Sequence, residues 1–358
     1  MSRYLLLDVG AGTLDVLYFD DEGGQHYKAV VRSPVLSAAE CAKELVGDLL
    51  VTGVEMGGGA LLEVLSEHAK KARVIVSASA AMTLSHNPER LRSAGLTVID
   101  DLQAEKEAAS WKFSTLELSD LPPERLKSLV SGFGVPFKFD VVGVCAQDHG
   151  VSPEGKSHLD FRHDIMKAAL EKKPSPEMLL YEKKSVPHYL NRLRCAAKTA
   201  SALPCGEVYV MDSGMAAMLG ASLDFQLRGK KRFLVLDIAT SHTVCAAIED
   251  GEIAGIVEYH TRDLDLKKLE SLLVDLADGR LVHRQVLAEG GHGAFVRKPF
   301  GFDAVELIVA TGPKRRLVEN SSLPIVYGAP LGDNMMTGTT GLLEAIRRRK
   351  GLAFPLFL

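Results

Sequence analysis

Apolar runs broken by short polar turns open the chain. Residues 3–9, 15–19 and 25–31 read as three consecutive strands, separated by GAGT and by the turn-rich DDEGG. After Pro34 the stretch SAAECAKELVGDLL changes to a helical period, with Ser37 as a candidate N-cap and Glu40 as its capping-box partner. A strand at VTGVE, a turn at GGGA, a helix at LLEVLSEHAKKA, a strand at RVIVSA and a helix around 87–94 follow. Strands alternating with helices after an opening meander predict an α/β sheet with helices packed on it.

The opening recurs. KRFLVLDIATSHTVCAAIEDGEIAGIVEYHT again gives strand, polar turn, strand, acidic-glycine hairpin and strand. An offset of 229 positions aligns Asp8 with Asp237 and also Asp20 and Asp21 with Glu249 and Asp250. A helix at 263–278, the loop EGGHG, the strand VELIVA, the turn TGPKRR, the strand LPIVYG and a helix at 333–348 complete the second pass. An internal duplication is expected, with each copy too large for a solenoid repeat. The expected division is 1–212, carrying an insertion around 104–205, and 213–358. FDVVGVCAQ reads as a buried strand within the less patterned region, and 153–187, rich in Lys, Glu, Pro and His, reads as surface loops.

Chemistry concentrates at the two polar turns. In DVGAGTLD, Gly10, Ala11 and Gly12 can present consecutive backbone N–H groups to a phosphate, Thr13 can add a hydroxyl, and Asp8 ends the strand where a carboxylate can hold Mg²⁺. DIATSHT offers Asp237, Thr240 and Ser241 in the same positions. Two facing loops with one carboxylate each would clamp a Mg²⁺–polyphosphate, which gives the duplication a physical reason. Read singly, either turn could also be a tight hairpin whose Gly, Asp and Thr satisfy turn geometry. AQDHG places Gln147 and Asp148 at a strand end, as a water-positioning group or base, or with Asp148 capping the loop. The triplet at Gly57–Gly59 is an anion nest or a strand-to-helix turn. EGGHG reads as a flexible loop with a solvated imidazole at His292, and Lys314, Arg315 and Arg316 as nucleotide contacts or a solvated basic turn. The run RRRK reads as cations at a helix C-terminus, and the tail GLAFPLFL is expected to pack on its own domain.

Composition narrows the partners. A formal charge of −4 over 358 residues gives no long-range attraction for nucleic acid or an anionic membrane. No run approaches the roughly 20 apolar residues of a membrane-spanning helix. Five scattered cysteines suit reduced thiols, so a cytoplasmic location is expected. Cys195 and Cys205, the nearest pair, are ten positions apart, and no short-spaced thiolate cluster for iron–sulfur or structural zinc is present.

These motifs resemble the actin, heat-shock chaperone ATPase and sugar kinase superfamily. DVGAGTLD resembles its first phosphate loop and DIATSHT its second, with Ala239 where glycine is usual. MDSGMAAMLGAS resembles a connecting helix, in which Gly214, Ala217 and Gly220 would allow close helix contact, and NMMTGTTGLLEA resembles the last connecting segment. LIVATGPKRRL resembles the adenosine loop, with Thr311 and Gly312 after a strand and Lys314 beyond them. The resemblance implies a duplicated ribonuclease-H-like, actin-like ATPase fold, two halves flanking a nucleotide cleft, with ATP and Mg²⁺ as cofactors. VTGVEMGGG, CAQDHG and EGGHG make the chain similar, more closely, to a prokaryotic family filed as pyruvate formate-lyase activating enzymes. A radical activase needs a three-cysteine motif that this sequence lacks, so the expected function is different. It is an ATPase whose nucleotide state drives a protein partner, with Asp8 and Asp237 as metal ligands and Gln147 or Asp148 positioning water. The alternatives are a kinase acting on a small metabolite and a non-catalytic nucleotide-dependent scaffold.

Overall fold

The computed structural model describes residues 2–110 and 112–352. The chain opens with β1 (Arg3–Val9), β2 (Thr13–Asp20) and β3 (Gln25–Arg32), an antiparallel meander. It then leaves this sheet for α1 (Pro34–Glu44), β4 (Leu49–Gly53), α2 (Leu61–Ala69), β5 (Val74–Ser77), α3 (Ala78–Leu84), α4 (Pro88–Ser93), β6 (Leu96–Ile99), α5 (Asp101–Ala108), β7 (Ser114–Leu118) and α6 (Pro123–Gly132). It returns with β8 (Phe139–Ala146), α7 (His158–Lys172), β9 (Leu180–Glu182), α8 (Asn191–Ala200), β10 (Cys205–Asp212) and α9 (Ser213–Ala221). The second pass runs β11 (Arg232–Ile238), β12 (His242–Glu249), β13 (Glu252–His260), α10 (Leu266–Asp278), α11 (His283–Ala288), β14 (Gly293–Val296), β15 (Leu307–Thr311), β16 (Ile325–Tyr327) and α12 (Thr337–Arg349).

Strand order carries the duplication. The first sheet reads β3-β2-β1-β8-β10-β9 and the second β14-β13-β12-β11-β15-β16. With the edge strands β9 and β14 set aside, both show a three-strand antiparallel meander whose first strand pairs in parallel with a later strand, which in turn pairs in parallel with the next. That is the ribonuclease-H-like order, present twice, so the chain has a duplicated actin-like fold. Parallel strands buried on both faces read as continuous apolar runs, as in the central residues of β8 and β11.

The halves meet through α9 and α12. A β-carbon at Gly220 would lie 1.8 Å from the carbonyl oxygen of Thr337, and one at Gly341 would lie 1.8 Å from that of Ala216. The two helices therefore cross backbone against backbone, and the contact is reciprocal. The expected close approach of the connecting helix is made by Gly220; Gly214 instead faces Val244 and the Asp212 carboxylate, and Ala217 lines the cleft. Leu6, Leu342, Ile346, Met218 and Val235 fill the core between the halves, while Leu236, Leu269 and Leu273 belong to a separate core beneath α10.

Three expectations are corrected. The inserted body is the parallel sheet β6-β5-β4-β7 with its own core, between β3 and β8, not the 104–205 region. Most of that region returns to the first sheet as β8, β9 and β10; parallel α/β alternation looks alike in either sheet, so the sequence pattern does not mark the transfer. Within 153–187 lies the 15-residue helix α7, whose buried positions include Arg162, Met166 and Leu170. Its polar composition hid a helix packed on the second half. Helix α1 begins at Pro34 after Ser33, not at Ser37, because proline preorganises the first turn; Glu40 pairs with Arg32 instead of closing a capping box. The tail lies, from residue 353, outside the described residues. Among the described residues no helix is long and apolar enough to cross a membrane.

Candidate functional site

The two polar turns face each other across a cavity of about 480 Å³. Its walls include Asp8, Gly10, Ala11, Gly12, Thr13, Gln147, Asp148, Asp237, Thr240, Ser241 and Gly312, so the fold gathers these residues from across the chain. A β-carbon at Gly12 would lie 2.7 Å from Thr240 Oγ1. The loops are already in contact, and the missing side chain at position 12 makes room for Thr240.

Both turns are built from the same bonds. Gly10 N–H donates to Thr13 O at 3.0 Å, and Ala239 N–H donates to His242 O at 3.1 Å. Ser33 N–H donates to Gly12 O at 3.1 Å, and Thr261 N–H to Ser241 O at 2.9 Å. The Ser33 hydroxyl donates to Gly10 O at 2.6 Å, and the Thr261 hydroxyl to Ala239 O at 2.8 Å. Ser33 and Thr261, each just beyond the third strand of its meander, thus pin the turns, a role the sequence reading missed. The β12–β13 turn is shorter by two residues than the β2–β3 turn and the β-bulge in β13 restores one, so Thr261 stands one position off the 229 offset, which hid the match. The amides of Ala11, Gly12, Thr240 and Ser241 have no acceptor among the described residues.

Carboxylates crowd the foot of the cleft. Asp8 and Asp15 face each other as cross-strand partners on β1 and β2. Burial raises both above the usual carboxylate range; Asp237 adds to the rise at Asp8, and Asp8 to the rise at Asp15. Burial pushes Asp237 up to about 6, against the Thr311 hydroxyl, which donates to Asp237 Oδ1 at 2.8 Å. Asp15 Oδ1 is buried without a hydrogen-bond partner among the described residues. Like charges this close disfavour joint ionisation, and a cation among them reverses the penalty.

Asp148 is buried, with Oδ1 accepting from Gly150 N–H at 2.8 Å and Oδ2 from Leu193 N–H at 3.0 Å. Its carboxylate caps the strand-end turn and the start of α8. Gln147 reaches across the cleft and donates its amide to Glu258 Oε1 on β13. Glu258 also faces Arg162, which donates to Asp212, the N-cap residue of α9. This buried Gln147–Glu258–Arg162–Asp212 chain ties α7 and β8 of the first half to β13 of the second, and nothing in the sequence spacing announces it. Arg192 lies on the wall nearby, held on both Asp120 oxygens. Gly57–Gly59 also line the cavity, with Gly57 N–H donating to Asp120, as a strand-to-helix turn before α2.

Four expected contacts lie away from the cavity. Thr311 is fully buried beneath Asp237. Lys314 and Arg316 are exposed and do not line the cleft. Arg315 donates to Gly328 O and stacks over Tyr327, 5.0 Å from the ring centroid. The run RRRK lies at the C-terminus of α12, as expected, with Arg347 bonded to Asp21 and Lys350 paired with Glu207. His292 is corrected too: the residue is 7% exposed, not solvated, and packs with His242 and His260. Burial and neighbouring imidazoles push His242 and His292 down to about 3, so both rings are neutral at pH 7.

A family model described as "Putative pyruvate format-lyase activating enzyme (DUF1786)" matches residues 56–317. No curated protein matches the sequence. Among solved structures, the chain is similar to the activator of the 2-hydroxyisocaproyl-CoA dehydratase from Clostridium difficile with bound ADPNP. That match has 10% identity, covers 99% of each chain and has a TM-score of 0.36. The chain is also similar to the PilM-PilN type IV pilus biogenesis complex, at 12% identity over 96% of this chain and 98% of that one, with a TM-score of 0.39. MreB5 of Spiroplasma citri bound to ADP matches at 10% identity over 99% of each chain, with a TM-score of 0.34. The fold assignment rests on the strand order described above.

Proposed function

We propose that this chain, which belongs to the family so described, is an actin-like ATPase that binds Mg²⁺–ATP between its halves and uses nucleotide state to drive a protein partner. The observation that carries the reading is the pair of facing turns with matching hydrogen bonds, unpartnered amides and three clustered carboxylates at their foot. Those donors suit phosphate oxygens, and those acids suit a hard divalent cation. Bound ATP would supply a phosphoanhydride whose terminal phosphoryl group passes to water.

In this reading Gly10, Ala11, Gly12, Thr13, Thr240 and Ser241 hold the phosphates, and Asp8 and Asp237 hold the cation. Thr311 fixes the Asp237 carboxylate from below, and Gly312 borders the nucleoside. The amide nitrogen of Gln147 is committed to Glu258, which leaves its amide oxygen as the acceptor for a water proton. Positioning and electrostatics of this kind suffice for phosphoryl transfer without a covalent nucleophile. Asp148, with both oxygens on backbone amides, is a poor base toward a substrate hydroxyl, which favours hydrolysis over a small-molecule kinase. The family's name points to radical chemistry, but Cys41, Cys145, Cys195, Cys205 and Cys245 sit on α1, β8, α8, β10 and β12 respectively, without the short spacing of a cluster motif. Unpaired thiols support a reducing, cytoplasmic setting.

A thermal-shift titration with Mg²⁺–ATP and Mg²⁺–ADP tests the reading. At 100 times its Kd, a ligand specific for the folded state stabilises by about 2.7 kcal/mol. The wild type should show the shift and Asp8→Asn should lose it, whereas Gln147→Ala should keep the shift and lose ATP turnover. No shift in the wild type with either nucleotide would reject the proposal.

A further inference from the structure

Away from the carboxylates, at the other side of the second turn, three imidazoles converge. His242 opens β12 and pairs in register with His260, the last residue of β13. His292 arrives from the EGGHG loop, where its N–H donates to Glu258 O at 2.8 Å. The loop can tuck in because Gly291 has no side chain; a β-carbon there would lie 2.6 Å from Val286 Cγ1 and 2.8 Å from the Tyr259 ring. Chain segments more than thirty residues apart therefore spend a strand register and a glycine on bringing these rings together.

One ring nitrogen from each histidine lies within 4.8 Å of the other two. His260 Nε2 and His292 Nε2 are 3.0 Å apart. Two buried nitrogens, His242 Nε2 and His292 Nδ1, have no hydrogen-bond partner among the described residues. Burying a polar atom unpaired costs about 1–3 kcal/mol, so a packed trio of imidazoles is a poor way to fill a core. The trio instead has the donor set of a metal centre. Glu258 Oε1 stands 3.7 Å from His292 Nδ1, the position of a carboxylate that orients a ligating ring from behind and leaves Nε2 for the metal.

We propose that His242, His260 and His292 form a three-imidazole site for one borderline divalent transition-metal ion of the zinc class, with its open position toward the cleft. Imidazole nitrogens select such ions over Mg²⁺ or Ca²⁺, and three protein ligands with one open position is the arrangement of reactive rather than structural zinc sites. His242 and Glu258 line the cavity, so a ligand in the cleft can reach the ion. His149, whose ring centroid is 5.6 Å from that of His292 and 6.4 Å from that of His242, borders the same opening. The site is distinct from the proposed Mg²⁺ position in chemistry and in residues, and it does not depend on nucleotide binding.

The test is titration of chelator-treated full-length protein with Co²⁺ alone, read by visible ligand-field absorption and by X-ray absorption at the cobalt edge. One ion per chain with three imidazole nitrogens in its shell is expected. His242→Ala and His292→Ala should each weaken binding by more than about 10-fold, while His188→Ala, at an exposed position, should leave it unchanged. Binding with fewer than two imidazoles, no stoichiometric binding, or equal loss in the His188 variant would overturn the proposal. The X-ray absorption result on the wild type decides the matter even where a variant fails to fold.

Discussion

The two turns share one backbone design and differ in almost every side chain around it. In the first, the strand-terminal Asp8 faces Asp15 across the ladder, and the turn closes on Thr13; in the second, Asp237 faces Val244, and the turn closes on His242. Hydroxyls from Ser33 and Thr261 hold the same carbonyl in each. The first turn therefore concentrates negative charge, while the second carries a single acid and opens a cluster of imidazoles. Duplication preserved what shapes the main chain and released the side chains that set the charge on each side.

Substitutions can break this correspondence, beginning with the closest contact. Gly12→Ala places a methyl against Thr240 and should cost about 1–3 kcal/mol in denaturant unfolding, as overpacking does. In a double-mutant cycle Thr240→Gly should recover much of that loss. Full additivity would show that the loops do not touch in solution.

The pinning hydroxyls should behave alike. Ser33→Ala and Thr261→Val should each destabilise by about 1 kcal/mol, measured by equilibrium unfolding. The loss at Thr261 should be the larger, because its hydroxyl also bonds Thr243 Oγ1 at 3.0 Å. A silent change at either position would mean that the shared turn geometry has no shared support.

The smallest effect sharpens the contrast in electrostatics. His86, on the cleft wall of the inserted body, is raised by its hydrogen bond to Glu55 Oε1 at 2.8 Å, against burial, whereas His242 and His292 are lowered. A raised folded-state value means that the pair's stabilisation is full below the unfolded value near 6.5. It is lost as pH rises through the folded value. Glu55→Gln should flatten that weak decline, with a change of a few tenths of a kcal/mol for a pair whose imidazole is partly open to solvent.

Much of this arrangement was legible in the residues. The meanders, their 229-residue offset and the acids at the strand ends follow from local periodicity and turn chemistry, which short windows capture. The inserted sheet was misplaced because parallel pairing is a long-range choice that alternating strands and helices do not encode. The histidine cluster was invisible for the same reason: His260 and His292 are 32 residues apart, and only the β13 register and the fold of one glycine-rich loop join them. Ser33 was passed over because Ser37 looked like the N-cap, and its hydroxyl turns back to the first loop.

The crossing of α9 and α12 has a mechanical meaning. With no side chains at Gly220 and Gly341 to interdigitate, the helices have no ratchet of ridges and grooves to climb when one half turns against the other. The contact works as a bearing, with its axis between two main chains and the two polar turns out on the lever arms. A methyl group at Gly341 would jam it, since its nearest neighbours are the Ala216 and Gly220 backbones, which do not line the cleft.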